Sequence, residues 1–218
     1  EEEKEETAPT QEEERAGYVP QLEGAELKLG ESSKIPLVLS SLPDGLRLAE
    51  FRIVSSGGVT FDRVIVLNPS YSVVVEKTDR LISVRVGDFD DEISPGTGEL
   101  KIAEVGINAV KVGETKLRTR FVGWGDEGSK VTRQGEPAIV AVTLGKVGKS
   151  QNPPKDLDGD GLYEDVNGDG KLTQEDAFTL AFNLQSESIQ HSASLFDFNW
   201  DGKVSFADAA ELIHMISG

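Results

Sequence analysis

The stretch "DLDGDGLYEDVNGDGKLTQED" occupies residues 156–176, and a shorter relative of it, "DFNWDGKVSFAD", occupies residues 197–208. In both, Asp or Asn stands at nearly every second position, and Gly follows each acidic cluster. Like charges this close together repel one another, and a hydrophobic core gives no reason to gather them. Both stretches therefore predict a site for a cation that offsets the repulsion.

Both stretches have the spacing of a twelve-residue calcium loop. Such a loop takes oxygen ligands from positions 1, 3, 5, 7, 9 and 12, with a backbone carbonyl at position 7 and Gly at position 6. At the ligand positions the first loop has Asp165, Asn167, Asp169, Lys171, Thr173 and Asp176, and the second has Asp197, Asn199, Asp201, Lys203, Ser205 and Asp208. With Gly170 and Gly202 at position 6, these two complete matches predict two Ca²⁺ sites. A wide and flexible oxygen shell favours calcium over magnesium.

Each loop runs directly into an apolar pattern of helical period. Thr173 and Ser205 stand three residues before Asp176 and Asp208, which is the spacing of a capping box at a helix start. The predicted apolar stripes are Ala177, Phe178, Ala181, Phe182 and Leu184 in the first helix, and Phe206, Ala209, Ala210, Ile213 and Met215 or Ile216 in the second. Because the same residues close the loops and start the helices, we expect metal binding and helix formation to be one event. A short connecting helix is expected within residues 186–196.

A further acidic cluster stands just before the first loop. Asp156, Asp158 and Asp160, followed by Gly, repeat the opening of a calcium loop, and Leu162 would supply the carbonyl of position 7. The continuation of this cluster overlaps the next loop, so Asp165 could bridge two ions. The pattern favours a third calcium site, and the alternative is an acidic lead-in that merely tolerates ions.

Residues 22–147 have the pattern of a β-sandwich. Short alternating apolar runs, such as Ile35, Leu37 and Leu39, are separated by turn residues every eight to twelve positions. The alternation slips by one residue at Ala49 and Glu50, which predicts a β-bulge. No helical periodicity in this part is longer than one turn.

Composition divides the chain into four predicted parts. Residues 1–21 form a Glu-rich arm, residues 22–147 the sandwich, residues 148–155 a polar, Pro-containing linker, and residues 156–218 a small helical domain. Formal net charge is −6 over residues 1–20, −1 over residues 21–150 and −10 over residues 151–218. The arm is typical of a disordered acidic tether, or of a segment held by a neighbouring chain.

Composition also excludes several classes of function. A chain this acidic is expected to bind nucleic acid or anionic membranes poorly, since both need Lys/Arg patches, and no apolar segment is long enough to span a bilayer. The absence of Cys excludes a disulfide framework and a thiolate metal site. The chain does not begin with Met, which fits a mature or excised protein that has lost a signal peptide and lies outside the cell.

The duplicated loop–helix pattern over residues 156–217 resembles the dockerin family. The lead-in "PPKDLDGDGLYEDVNGDGKLTQEDAF" is similar to the form found at the C-terminus of archaeal secreted and surface proteins. The resemblance implies that the helix after each loop contacts a cohesin module, through Gln174 and Glu175 in the first half and Phe206 and Ala207 in the second. Position 12 is Asp, not the Glu of sensor EF-hands, which argues against a calmodulin-like switch.

The β region resembles cohesin modules in two stretches, "LKLGESSKIPLVLSSLPDGLRLAEFRIV" and "GDFDDEISPGTGELKIAEVGINAV". This resemblance implies a jelly-roll sandwich that binds dockerins and catalyses nothing. The predicted fold class is therefore a mainly β, cohesin-like sandwich followed by a small α, dockerin-like domain. If the two modules recognise each other, copies of the chain would join head to tail into an open filament, along which the acidic arm could lie.

Three other functions were weighed against self-assembly. An adaptor that docks onto a separate cohesin or dockerin partner, in a surface or polysaccharide-degrading complex, would use the same modules. A carbohydrate-binding module would need an aromatic platform, but Trp124 stands alone in the β region, and Trp200 would be either a partner contact or packed on its helix. An enzyme is not expected, because the two histidines, His191 and His214, both lie in the α region and His214 suits a helix C-terminus.

Overall fold

The computed structural model describes residues 17–43, 45–68, 71–87, 93–94, 96–124 and 130–217. The prediction of an acidic arm falls mostly on residues 1–16, which lie outside this part of the chain. Within the described residues, no helix is both long and apolar enough to cross a membrane.

The described part of the chain contains eleven strands and, after them, three short helices. The strands are β1 (Pro20–Leu22), β2 (Ala25–Lys28), β3 (Ser32–Leu39), β4 (Leu48–Ser55), β5 (Val59–Val66), β6 (Ser72–Lys77), β7 (Leu81–Gly87), β8 (Leu100–Ala109), β9 (Gly113–Trp124), β10 (Lys130–Gln134) and β11 (Ala138–Thr143). The helices are α1 (Gln174–Phe182), α2 (Glu187–Gln190) and α3 (Phe206–Ser217), with a 3₁₀ turn at Ala193–Leu195. The predicted fold class, mainly β followed by a small α region, is confirmed.

The strands form two sheets. One sheet has the order β1-β3-β8-β5, and the other has the order β2-β11-β9-β4-β7-β6, with β10 paired to β9. In the larger sheet β4 lies between β7 and β9 and is antiparallel to both. Alternate residues of each strand point to opposite faces, so each sheet buries one face of its strands. The residues that are fully buried include Leu37, Leu39, Phe51, Ile53, Val84, Val105, Leu117 and Phe121.

The predicted bulge in β4 is wrong. The strand pairs with β7 and β9 without any shift of register from Leu48 onward, and Ala49, Phe51 and Ile53 are the buried residues. Leu48 points outward and is 44% exposed. The alternation of apolar residues in the sequence changes phase here because Leu48 points outward and Ala49 points inward. A shift of register does occur in β3, between Leu37 and Val38.

The chain divides into two compact units. The first, here called the β unit, holds the described residues up to Ala25 with Ser32–Asn108 and Glu114–Ala141; the second, the helical unit, holds Glu26–Glu31, Ala109–Gly113 and the described residues from Val142 onward. These units are defined by proximity in space. The domain bounds predicted from the sequence, with a linker at residues 148–155, stay a prediction.

The helical unit has a small apolar core of its own. It is formed by Leu144, Val147, Leu162, Val166, Ala177, Leu180, Leu184, Ile189, Phe196, Phe198, Ala209 and Leu212. Helices α1 and α3 pack against each other in this unit, which buries one stripe of each.

The apolar stripes predicted for the two helices are only partly buried. In α1 the buried apolar residues are Ala177 and Leu180, whereas Phe178 and Phe182 are 51% and 85% exposed. In α3 Leu212 is fully buried and Phe206 is 71% exposed. Each helix therefore has apolar residues on two neighbouring faces, and periodicity alone does not say which face meets the core.

Candidate metal-binding loops and exposed helix faces

The first and last residues of the first twelve-residue loop point into the loop. The two carboxylate oxygens of Asp165 accept hydrogen bonds from the backbone N–H groups of Asp169 (2.9 Å) and Gly170 (2.7 Å). Those of Asp176 accept from the N–H groups of Asn167 (3.0 Å) and Thr173 (2.8 Å). Both carboxylates are fully buried, so they are held inside the loop rather than in solvent.

The second loop repeats this arrangement contact by contact. Asp197 accepts from the N–H groups of Asp201 (3.0 Å) and Gly202 (2.9 Å). Asp208, which is also fully buried, accepts from the N–H groups of Asn199 (3.3 Å) and Ser205 (2.7 Å). The same twelve-residue spacing thus folds to the same geometry twice.

The remaining predicted positions also lie in the loops. The side-chain oxygens of Asn167 and Asn199 accept the N–H groups of Asp169 and Asp201, whose own oxygens accept those of Lys171 and Lys203 at position 7. The hydroxyls of Thr173 and Ser205 donate to Asp176 Oδ2 (3.1 Å) and Asp208 Oδ2 (3.3 Å). Gly170 and Gly202 have φ of +92° and +84°, a left-handed conformation that glycine adopts without strain.

Burial changes the acidity of the residue that closes the first loop. Burial raises the pKa of Asp176, the loop amides of Asn167 and Thr173 work in the opposite direction, and the neighbouring charge of Asp165 raises it further. A carboxyl group in this position is costly to ionise unless a cation lies close to it. The donors in both loops are carboxylate, amide, hydroxyl and carbonyl oxygens, so the residues present fit a hard cation such as calcium.

The acidic segment before the first loop brings together four carboxylates. Asp156, Asp158 and Asp160 were predicted, and Glu164 joins them: one ligand atom of each lies within 4.8 Å of the other three. No other group of three or more His, Cys, Asp or Glu residues meets this distance among the described residues, so the predicted bridging residue Asp165 is not in such a group.

Sequence analysis missed Glu164, which is only 3% exposed. Burial raises the pKa of its carboxyl group, against the effect of the backbone amides, and the charges of Asp158 and Asp160 raise it further. The available signal was its place at position 9 of a loop counted from Asp156. This signal is hard to see because Glu164 directly precedes Asp165, where the first twelve-residue loop begins.

The helices that follow the loops expose large apolar side chains. On α1 these are Phe178 and Phe182, and on α3 they are Phe206, Ile213 and Met215. Gln174, Glu175 and Ala207, which were predicted to contact a partner together with Phe206, are all exposed. Trp200, for which two roles were considered, is 74% exposed at position 4 of the second loop. Its ring is therefore largely exposed rather than packed against its helix.

The outer face of the large sheet in the β unit carries arginines. Arg52 Nε lies 2.7 Å from Glu50 Oε1, and Arg85 Nε lies 3.8 Å from Glu50 Oε2. The hydrogen bond from Arg52 and the two positive charges lower the pKa of Glu50. Arg118 and Arg120 are exposed on the adjacent strand, and no carboxylate within the described part of the chain forms an ion pair with them. This face is therefore basic, in contrast to the acidic helical unit.

The structure offers little support for a carbohydrate-binding module or an enzyme. Trp124 is covered by Lys130, whose Nζ lies 5.6 Å from the ring centroid, and no other ring pairs with it among the described residues. His191 and His214 are both exposed and stand in the helical unit.

Comparison with known proteins assigns the C-terminal part. Residues 163–217 match the family model of the dockerin type I domain. Dockerin and cohesin modules are non-catalytic interaction domains, and dockerin domains bind calcium. No curated protein matches the chain.

Solved structures similar to this chain include cohesins. A chain in a crystal structure of a CaDoc0917–CaCohA2 complex has a TM-score of 0.50 at 14% identity and is matched over 98% of its length and 57% of this chain. The solution structure of CaCohA2 from Clostridium acetobutylicum has a TM-score of 0.47 at 15% identity, over 88% of its length and 56% of this chain. A non-cellulosomal cohesin from the archaeon Archaeoglobus fulgidus has a TM-score of 0.49 at 12% identity, over 89% of its length and 57% of this chain. The predicted combination of a cohesin-like fold with a dockerin is confirmed.

Proposed function

We propose that this protein is a non-catalytic, extracellular assembly protein in which the calcium-loaded helical unit of one copy docks onto the β unit of the next. The observation that carries the proposal is that one chain combines a dockerin match with a cohesin-like fold. These modules assemble proteins by binding to each other, so a chain with both has a donor and an acceptor surface. Such a contact is heterologous and gives an open chain of subunits unless it closes into a ring.

Calcium enters the proposal through the two twelve-residue loops. In the first, Asp165, Asn167, Asp169, Thr173 and Asp176 would hold the ion with the carbonyl of Lys171; in the second, Asp197, Asn199, Asp201, Ser205 and Asp208 would hold it with the carbonyl of Lys203. A bound ion would neutralise carboxylates that are buried at the start of each helix. The loops would then fix the direction of α1 and α3 and the exposed side chains on them.

Exposed apolar side chains supply the docking surface of the helical unit. Phe182 and Phe206 expose 85% and 71% of their surface, which is unfavourable in water unless a partner covers them. Phe206 is the first residue of α3 and directly follows a calcium-loop position, so an ion that orders the loop also orders this contact.

Charge complementarity favours a second copy of the same chain as the partner. Residues 151–218 carry a formal net charge of −10, which two calcium ions would reduce to −6. The outer face of the large sheet presents Arg52, Arg118 and Arg120 beside exposed apolar residues such as Leu48 and Val54. Opposite potentials on two surfaces steer association and suppress wrong partners. Contacts of this kind weaken as salt is added.

Sedimentation velocity on the intact chain, at several concentrations in calcium and then in chelator, tests the proposal. Calcium should produce species that grow with concentration, and chelator should return the chain to a monomer. Phe206→Asp should abolish the growth, whereas Val110→Asp, which changes a 49% exposed apolar residue outside the proposed surfaces, should not.

A monomer in both buffers contradicts self-assembly. The favoured alternative is then an adaptor whose helical unit or β unit binds a separate cohesin or dockerin partner. Binding to an insoluble polysaccharide by that monomer would instead support a carbohydrate-binding module.

A further inference from the structure

We propose that residues 156–164 form a third calcium site. Its last carboxylate ligand is Glu164, whereas the other two loops end in an Asp at the start of a helix. Its other carboxylates are Asp156, Asp158 and Asp160, and the carbonyl of Leu162 is the remaining ligand. The site goes beyond the proposed function, since it is not needed for docking and most of it precedes residue 163, where the dockerin match begins.

The spacing of the carboxylates fits a single calcium ion. One ligand atom from each of the four lies within 4.8 Å of the other three. Oxygens in a calcium shell lie 2.3–2.6 Å from the ion, so two ligands on opposite sides are about 5 Å apart. The four groups therefore already occupy the space of one shell. With the Leu162 carbonyl and water they reach the six to eight oxygens that calcium takes.

Glu164 provides an independent sign that a ligand belongs here. Its Oε2 accepts the N–H of Leu157 (3.1 Å), but its Oε1 is buried and accepts no hydrogen bond in the described part of the chain. A buried carboxylate oxygen without a partner is costly. The three neighbouring carboxylates are themselves acceptors and cannot pair with this oxygen. A cation can, and it also offsets the repulsion among the four groups.

The backbone hydrogen bonds of this segment are similar to those of the twelve-residue loops, although Asp156 accepts the N–H of position 4 where Asp165 and Asp197 accept that of position 5. Asp156 accepts the N–H groups of Gly159 (2.6 Å) and Gly161 (2.9 Å), and Asp160 accepts that of Leu162 (2.7 Å). Gly161 at position 6 has φ of +97°, close to the +92° of Gly170. Leu162 is 5% exposed, so its side chain anchors position 7 in the core of the helical unit.

The manner of closure differs from that of the other two loops. There, position 12 is an Asp whose carboxylate also begins a helix; here, the carboxylate comes from position 9 and no helix follows. Backbone hydrogen bonds between Lys155 and Asp165 (3.0 and 3.2 Å) hold the two ends of the segment together. A bound ion would thus fix the segment that leads into the first twelve-residue loop.

Counting bound calcium by native mass spectrometry of the full chain tests this site. The wild-type chain should hold three ions per copy in saturating calcium. Glu164→Gln and Asp158→Asn should each hold two, and both keep the shape of the side chain. Asp158 is exposed, so its replacement does not disturb packing. The control Glu187→Gln, which removes an exposed carboxylate elsewhere in the helical unit, should still hold three.

Two ions in the wild-type chain, or three in either variant, would overturn the third site. The count is independent of the assembly experiment, because it is read from the mass of a single copy. A chain that binds three ions but never assembles would refute self-assembly and leave the third site intact. A chain that assembles with two ions would do the opposite.

Discussion

The β unit and the helical unit keep their folds by different means. Among the described residues, the buried polar side chains of the β unit are hydroxyls: Ser55, Ser83, Thr115 and Thr119. The four carboxylates that are buried in the described part of the chain, those of Glu164, Asp165, Asp176 and Asp208, all lie in the helical unit. The hydroxyls of Ser55 and Ser83 donate hydrogen bonds, whereas Thr119 Oγ1 has no partner within the described residues. Even an unpaired hydroxyl costs far less to bury than a carboxylate without a cation. We therefore expect the β unit to fold on its core alone, and the helical unit to need bound cations as well as its core.

Calcium removal should give the largest difference between the two units. Excess chelator at neutral pH should melt α1 and α3, because their first turns are held by carboxylates that then repel one another, while the sheets stay folded. Where a metal site exists only in the folded state, the free energy of metal binding adds to the folding free energy. Circular dichroism should therefore lose its helical component and keep its β component. A helical signal that survives excess chelator at neutral pH would falsify the comparison.

Truncating a buried side chain in the core of the β unit should destabilise the β unit and not the helical unit. Phe121 is fully buried and packs against Tyr18 and Phe51, with ring centroids 5.9 and 5.2 Å away. Phe121→Ala should destabilise the β unit by about 3–5 kcal/mol, the usual effect of removing a buried aromatic ring.

The thermal unfolding of Phe121→Ala, followed by the β signal, measures that loss. Calcium stoichiometry should not change, since no proposed ligand lies in the β unit. Leu48→Ala in the same sheet is the matched control and should change stability little, because Leu48 is 44% exposed. A loss of bound calcium in Phe121→Ala would show that the helical unit depends on the core of the β unit.

The smallest expected effect is a pH dependence seen in chelator. The pKa values of Asp176 and Glu164 are raised in the fold, chiefly by burial. A raised carboxyl pKa contributes stability that is complete below the unfolded value of about 4 and is lost as pH rises through the folded value. In chelator, part of the helical signal that is lost at neutral pH should therefore return as the pH falls toward about 4.

Saturating calcium should reverse this dependence, because only the ionised carboxylates bind the metal. Melting the chain over this pH range in both buffers gives the two slopes. Equal slopes with and without calcium would mean that the buried carboxylates do not face the ion. Glu175→Gln, which alters an exposed neighbour of Asp176, should leave both slopes unchanged.

The spacing of residues along the chain predicted most of the candidate site residue by residue. In the two long loops the side chains at positions 1, 3, 5, 9 and 12 all form hydrogen bonds within the loop, because a loop of fixed length with Gly at position 6 has few ways to turn its oxygens inward. Their role as calcium ligands stays a prediction. Glu164 was not found, since its significance depends on burial, which the spacing of a short loop does not reveal.

The sequence by itself determined the order of a β region and a loop–helix repeat, and the places where charge gathers. These features follow from the two-residue alternation of apolar side chains in strands and from the spacing of Asp, Asn and Gly within each twelve-residue loop, which are local properties of the chain. Only the tertiary structure decided that Leu48 points outward, that Phe178, Phe182 and Phe206 are exposed, and that Glu164 joins three aspartates. A helix or strand with apolar residues on two faces has no local preference between them, so the choice depends on which face the rest of the fold covers.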